Sequence, residues 1–139
     1  MAQAVRDVMS PNPRSIDGDD NLVEAARVMR DADVGAVIVL QGHRVSGLLT
    51  DRDIVVRALA DERDPAATRA GEIASRDVVA LGPEDSIERA VELMSERSVR
   101  RLPVIEGDTP VGIVSLGDLA IERDSTSALA EISAAPANV

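Results

Sequence analysis

The 139 residues include 25 acidic and 15 basic side chains, a formal net charge of −10 and a pI near 4.5, which argues against a nucleic-acid partner because phosphate binding needs a basic face. Phe, Tyr, Trp and Cys are all absent, which excludes aromatic base-stacking, disulfides and thiolate zinc sites and leaves Val, Ile, Leu, Ala and Met to build the core. No apolar run approaches the roughly 20 residues of a membrane span or makes a signal-peptide core after MAQAVRDVMS, so a soluble, cytoplasmic protein with no membrane partner is expected.

In chain order, a short extended segment is expected near Pro13–Ile16. Asp20 then stands as a helix cap ahead of Leu22, Ala25, Ala26 and Met29, whose spacing makes one apolar stripe. Val23 occupies the place where a capping box would want Glu. Two apolar runs follow, Ala36–Leu40 and Val45–Leu49, and the turn formers Gln41-Gly42-His43 between them suit a hairpin. A last helix begins in GLLTDRDI, Gly47 to Ile54, with Ile54, Val55, Ala58 and Leu59 as its expected buried side. The stretch ADERDPAATRA, Ala60 to Ala70, is polar, contains Pro65 and reads as a connector.

The series then returns. Val78–Leu81 is the extended segment; Asp85 is the cap, with Glu88 in capping-box position; Ile87, Ala90, Val91 and Met94 form the stripe. Leu102–Ile105 and Val111–Val114 flank the turn Glu106-Gly107-Asp108, and GIVSLGDL runs from Gly112 to Leu119. A shift of 65 residues aligns the halves without a gap from about Asp7 to Asp53, with Ser10/Ser75, Asp20/Asp85, Met29/Met94, Val34/Val99, Gly47/Gly112 and Asp53/Asp118 identical. The chain is a tandem duplication. Each copy reads strand, helix, strand, strand, helix, an α+β unit too small to bury its sheet alone. The two are therefore expected to pack sheet to sheet with pseudo-twofold symmetry, as domains 1–64 and 65–124. A tail of small residues, 125–139, is expected to hold a weak helical turn or two and to fray at its end.

The pattern Gly-x-x-Thr/Ser-x-x-Asp has two physical uses. Thr50 with Asp53, and Ser115 with Asp118, fit a capping box that only closes a helix N-terminus. They equally suit ligand recognition, since a hydroxyl at a helix start sits among free amides that favour an anion, and a carboxylate one turn on can accept both hydroxyls of a cis-diol. Catalysis is not expected: His43 is the single histidine, lies in a turn and has no paired nucleophile, and Asp51 with Asp53 supplies too few ligands for a metal.

The motifs VMSPNP, LVEAARVM, IERAVELM, VRRLPVIEG, GLLTDRDIV and GIVSLGDLA, spread from about Val5 to Ile121, together resemble the CBS domain. The pair is similar to a Bateman module of the stand-alone prokaryotic class. That resemblance implies that each signature lines a cleft between paired domains, where AMP, ADP, ATP or S-adenosylmethionine binds. It assigns Asp53 and Asp118 to the ribose hydroxyls, and Thr50 and Ser115 to the sugar or phosphate. Arg100 and Arg101 stand where some relatives carry phosphate-binding basic pairs, whereas copy one has Gly35-Ala36 there, so two equivalent phosphate sites are not expected. Arg52 adds charge beside Asp53, where copy two has Gly117. With no aromatic ring available, adenine is expected against apolar strand residues and their backbone, with Ala36, Val37, Leu48, Leu102 and Pro103 as candidates. The resemblance implies no cofactor, a homodimer formed through the helices, and a regulatory role read by an unknown protein partner. The competing expectation is a ligand-free interaction or scaffold protein.

Overall fold

Two left-handed helix ends and two glycine turns mark out the repeat in three dimensions: Asp33 and Ser98 have φ of 55° and 54°, Gly42 and Gly107 of 66° and 64°. The computed structural model describes residues 4–76 and 79–123. Val78 and the tail 125–139 lie outside the described residues. After a 3₁₀ turn at Val5–Asp7 come β1 (Ser10–Pro11), β2 (Ser15–Asp17), α1 (Leu22–Ala32), β3 (Ala36–Gln41), β4 (Arg44–Thr50) and α2 (Asp51–Asp53), which runs on as a π-helical stretch over Ile54–Leu59. Then follow α3 (Ala70–Ile73), α4 (Ile87–Arg97), β5 (Arg101–Glu106), β6 (Thr109–Ser115) and α5 (Leu116–Arg123). Contacts divide the described residues into a first-repeat unit, 12–76 with 107–110, and a second-repeat unit, 4–11 with 79–106 and 111–123.

In the first-repeat unit the sheet order is β2-β3-β4. β2 runs parallel to β3, with Ile16 opposite Val39, and β3 runs antiparallel to β4, from Ala36 opposite Thr50 to Gln41 opposite Arg44. α1 lays Leu22, Ala25 and Met29 on Val37, Val39 and Leu49, and Ala70, Ile73 and Ala74 of the α3 region close the cluster. Each large apolar side chain enclosed in this way contributes about 1.5–3 kcal/mol. The second-repeat unit has the order β1-β6-β5, with Ser10 opposite Ile113. Leu81 bridges Val104 in parallel, which reproduces the Ile16–Val39 pairing 65 residues on. Its cluster joins Ile87, Ala90, Leu93 and Met94 of α4 to Leu102, Val104, Val114 and Leu119, and Val5 is enclosed among them.

Three expectations are corrected. The caps lie one residue later, at Asn21 and Ser86, whose side chains accept from the N–H groups of Glu24 and Arg89. Asp20 and Asp85 instead accept from the N–H groups of Asp17 and Gly82, three residues back, and close the turn that leads into the helix. On the helix after β4 only Ala58 is buried, with Ile54 partly so, while Val55 and Leu59 are 57% and 51% exposed. The reason is the wider π spacing, seen where the N–H of Ala60 donates to Val55 O, which moves the inward face off the expected 3.6-residue stripe. Ala26 likewise falls outside the buried face of α1.

Residues 60–69 are more than a connector. The N–H of Leu22 donates to the carbonyls of Thr68 and Pro65, and the buried Thr68 hydroxyl donates to Asp64 O at 2.7 Å, so this loop covers the start of α1. The Arg69 N–H and the Arg63 guanidinium both donate to the Glu72 carboxylate and hold it below its ordinary pKa.

Both long helices end in a Schellman arrangement, with Asp33 and Ser98 bonding to Arg30 O and Ser95 O, and Val34 and Val99 to Met29 O and Met94 O. A left-handed residue with a Cβ carries a cost of about 1–2 kcal/mol, which glycine avoids at an entropic cost of about 0.5–1 kcal/mol. Ser98→Gly is therefore expected to stabilise the protein by about 0.5–1 kcal/mol, read as a higher urea midpoint by circular dichroism. A lower midpoint would show that the Ser98 side chain supports the cap.

Candidate functional site

β4 delivers Thr50 in extended conformation, and the chain turns straight into a helix. The Thr50 hydroxyl accepts from the N–H of Asp53 at 3.1 Å, and Asp53 Oδ2 accepts from the N–H of Thr50 at 2.9 Å. Ser115 and Asp118 repeat the arrangement at 3.1 and 2.9 Å. The capping box expected on spacing alone is thus present in both copies. A carboxylate has about four acceptor positions, and one is used in each case. Oδ1 of Asp53 and of Asp118 accepts no hydrogen bond among the described residues. Both side chains are partly exposed.

Neighbouring backbone brings the other candidates to the same edge. The N–H of Asp51 donates to Gly35 O at 3.0 Å, and that of Leu116 to Arg100 O at 2.8 Å. In the first-repeat unit Val34, Ala36, Thr50, Arg52 and Asp53 therefore share one end of the sheet; in the second, Val99, Arg100, Arg101, Ser115 and Asp118 do. The ends differ chemically. Arg52 and Arg100 are exposed, and their guanidinium groups make no ion pair among the described residues. Arg101 is half-buried. Leu116, 49% exposed, stands where the first unit has Asp51.

Strand alternation sorts the expected adenine contacts into two groups. Val37 and Leu102 face inward, and their side chains are enclosed in the two hydrophobic clusters. Ala36, Leu48 and Pro103 are also buried but belong to neither cluster and lie on the opposite faces of their strands. Ile38, the counterpart of Pro103, shares that face with Ala36 and is missed by the sequence reasoning, as are Val34 and Val99, large apolar residues 39% and 38% exposed beside the signatures. Period-two alternation combined with the 65-residue shift would have found Ile38.

The opening glycines have a structural use of their own. A Cβ on Gly47 would stand 2.6 Å from Ser75 O, which accepts from the N–H of Leu48. One on Gly112 would meet the Met9 side chain and, at 3.0 Å, Ser10 O. In each unit a segment from the other repeat's lead-in lies against the signature strand, and only glycine leaves room. His43 is exposed in its turn, and no group of three or more His, Cys, Asp or Glu fit to hold a metal occurs among the described residues. No described helix is long and apolar enough to cross a membrane.

The CBS domain profile matches residues 5–59 and 70–124. The chain is 38% identical over 134 residues to the CBS domain-containing protein YhcV of Bacillus subtilis, covering 94% of this chain and 95% of that one. It is 38% identical over 116 residues to Hypoxic response protein 1 of Mycobacterium tuberculosis, covering 83% and 81%. A crystal structure of Hypoxic Response Protein I with two coordinated zinc ions superposes with a TM-score of 0.75 at 36% identity, covering 88% of this chain and 99% of that one. The CBS domain pair of protein MJ0100, in complex with 5′-methylthioadenosine and S-adenosyl-L-methionine, superposes with a TM-score of 0.79 at 22% identity, covering 89% and 98%, a likeness of fold.

Proposed function

The chain belongs to the CBS domain family and carries two copies in tandem, and from that premise we propose a regulatory module that binds an adenosine compound, AMP, ADP, ATP or S-adenosylmethionine, at its signature residues. One observation carries this proposal: in each repeat the Asp is locked in place by a reciprocal box that leaves one carboxylate oxygen without a hydrogen bond among the described residues. A fixed acceptor of that kind suits the paired hydroxyls of a ribose. Thr50 and Ser115 stand at the sugar; Arg52, Arg100 and Arg101 supply guanidinium groups for phosphate. Val34 and Val99, both exposed, offer aliphatic surface to adenine, and the buried Ala36, Ile38, Leu48 and Pro103 shape the strands beside them. Val37 and Leu102 act from within the core, by holding the strands in place. The adenosine compounds bound by the MJ0100 pair favour this ligand class. Zinc is not favoured, because Cys is absent and the single His43 lies in a turn.

Ligand binding regulates only if one conformation or assembly binds better than another. Self-association through the exposed Val55, Val56 and Leu59 provides such an assembly, and we place the proposed homodimer there. Differential scanning calorimetry against the four adenosine compounds tests the function, with GTP as the base control. Binding at 100 times the dissociation constant is expected to add about 2.7 kcal/mol of stability. If no adenosine compound raises the unfolding temperature, the ligand-free interaction reading takes its place.

A further inference from the structure

Besides the signatures, the two units differ at the opposite end of their sheets. In the second-repeat unit the N–H of Arg6 donates to Pro83 O at 3.0 Å, and its guanidinium group pairs with Glu84 and, at 3.9 Å, with Glu106. The residue 65 places after Arg6 is Gly71. Gly71 repeats the backbone bond, donating to Gly18 O at 2.9 Å, but has no side chain to follow it. The counterparts of Glu84 and Glu106 are Asp19 and Gln41. Beside Gly71 and Gly18, where the side chain of Arg6 would have its counterpart, lies a groove of about 330 Å³ walled by Asp19, Gln41, Ser46, Arg69, Glu72 and Arg76.

We infer that this groove receives a guanidinium group from outside the chain, doing in the first-repeat unit what Arg6 does in the second. Asp19 Oδ2 and the Gln41 amide oxygen accept no hydrogen bond among the described residues. Asp19 Oδ1 meets Arg69 at 3.4 Å, a long pair with the two side chains 66% and 70% exposed, which holds Asp19 weakly. Glu72 is already engaged by Arg63 and the Arg69 N–H, so the incoming group addresses Asp19 and Gln41. A planar fork of donors suits two oxygens on neighbouring walls better than a point charge does. The walls balance the carboxylates of Asp19 and Glu72 against the guanidinium groups of Arg69 and Arg76, and Arg76 donates to Gly71 O at 3.5 Å, so recognition rests on the directed bonds to Asp19 and Gln41 and not on bulk charge. Gln41 and Ser46 border the β3–β4 turn, at the far end of those strands from Thr50, so the inference is independent of the adenosine proposal.

The shared chemistry has two sources, an arginine presented by a protein or a free guanidinium compound. Titration of ¹⁵N-labelled protein with Nα-acetyl-arginine amide and with free L-arginine separates them, and Nα-acetyl-citrulline amide serves as the uncharged isostere. Saturable shifts of the Gly18, Gln41 and Gly71 amides are expected with arginine compounds, with citrulline at least about tenfold weaker because the charge-assisted bonds are lost. Tighter binding of the capped amide identifies a protein side chain as the source; tighter or equal binding of L-arginine identifies a free compound. Asp19→Asn is expected to weaken binding about tenfold or more, and Gly71→Arg with Gln41→Glu to abolish it by filling the groove. If the filled variant does not fold, Asp19→Asn decides. The inference is overturned by the absence of saturable shifts at these amides, by equal responses to arginine and citrulline, or by unchanged binding to the Asp19 variant.

Discussion

Asp53→Asn is expected to remove most of the stabilisation that an adenosine ligand confers, while changing the stability of the unliganded protein by about 1 kcal/mol or less. The difference follows from the two duties of this side chain. One oxygen accepts from the N–H of Thr50 at 2.9 Å, and an Asn carbonyl can do the same, so the box survives apart from a modest loss of charge at the helix start. Ribose hydroxyls would instead meet the uncharged amide NH₂, a donor, because the single carbonyl acceptor is spent on the box. Hydrogen bonds to charged groups are worth about 1.5–3 kcal/mol, so losing two weakens binding roughly a hundredfold or more. At a ligand concentration that stabilises the parent by about 2.7 kcal/mol, a hundredfold weaker site retains only RT ln 2, about 0.4 kcal/mol. Asp53→Ala is expected to show the same ligand loss and, in addition, a ligand-independent cost of about 0.5–2 kcal/mol from the broken cap. Calorimetric scans of the three proteins with and without ligand separate the two duties. Equal ligand responses in the parent and the Asn variant would mean that Asp53 serves the cap alone.

Gly47→Ala is expected to be strongly destabilising for a change of a single methyl group. Adding a Cβ at a strand glycine usually helps, since glycine is the poorest strand former. Here it would stand 2.6 Å from Ser75 O and 3.1 Å from the Ala74 Cβ, contacts that only a backbone shift can relieve. Ala74 is part of the enclosed cluster and the N–H of Ser75 donates to Leu48 O, so that shift disturbs both core and sheet. Overpacking of this kind costs about 1–3 kcal/mol. Gly112→Ala is expected to cost less, because its clash is chiefly with the flexible side chain of Met9. Urea unfolding followed by circular dichroism measures both. A Gly47 variant at least as stable as the parent would remove the close-approach account of this glycine.

Much of this architecture is legible in the sequence because it is written twice. The hairpin glycines at 42 and 107, the apolar stripes on α1 and α4 and the Thr/Ser–Asp boxes each come with a partner 65 residues away. Agreement between two independent positions is strong information. The caps fall one residue later than expected because Asp and Asn side by side at 20 and 21, like Asp and Ser at 85 and 86, are both competent acceptors, and only the preceding turn decides which is used for what. The buried side of the helix after β4 departs from the periodic expectation because a π-helical stretch has no signature in apolar periodicity. Strand alternation turns the side chains of Val37 and Leu102 into the core, so an adenine placed beside them would meet their backbone.

What the amino-acid order determines by itself is local or repeated: the two copies, their helix and strand content, the turns that need left-handed glycine, and the reciprocal boxes whose partners lie three residues apart. Those features rest on short-range hydrogen bonds and on periodicity, which need no knowledge of distant contacts. Only the tertiary structure decides where the flanking segments are spent. Residues 4–11 complete the second-repeat unit and residues 69–76 the first, through pairs such as Val5 N–H to Asp85 O and Ala70 N–H to Asp20 O. It also decides which glycine is made indispensable by another strand's carbonyl, and which carboxylate oxygen is left available. These outcomes depend on what the folded chain brings close from far along its length, and no local pattern records them.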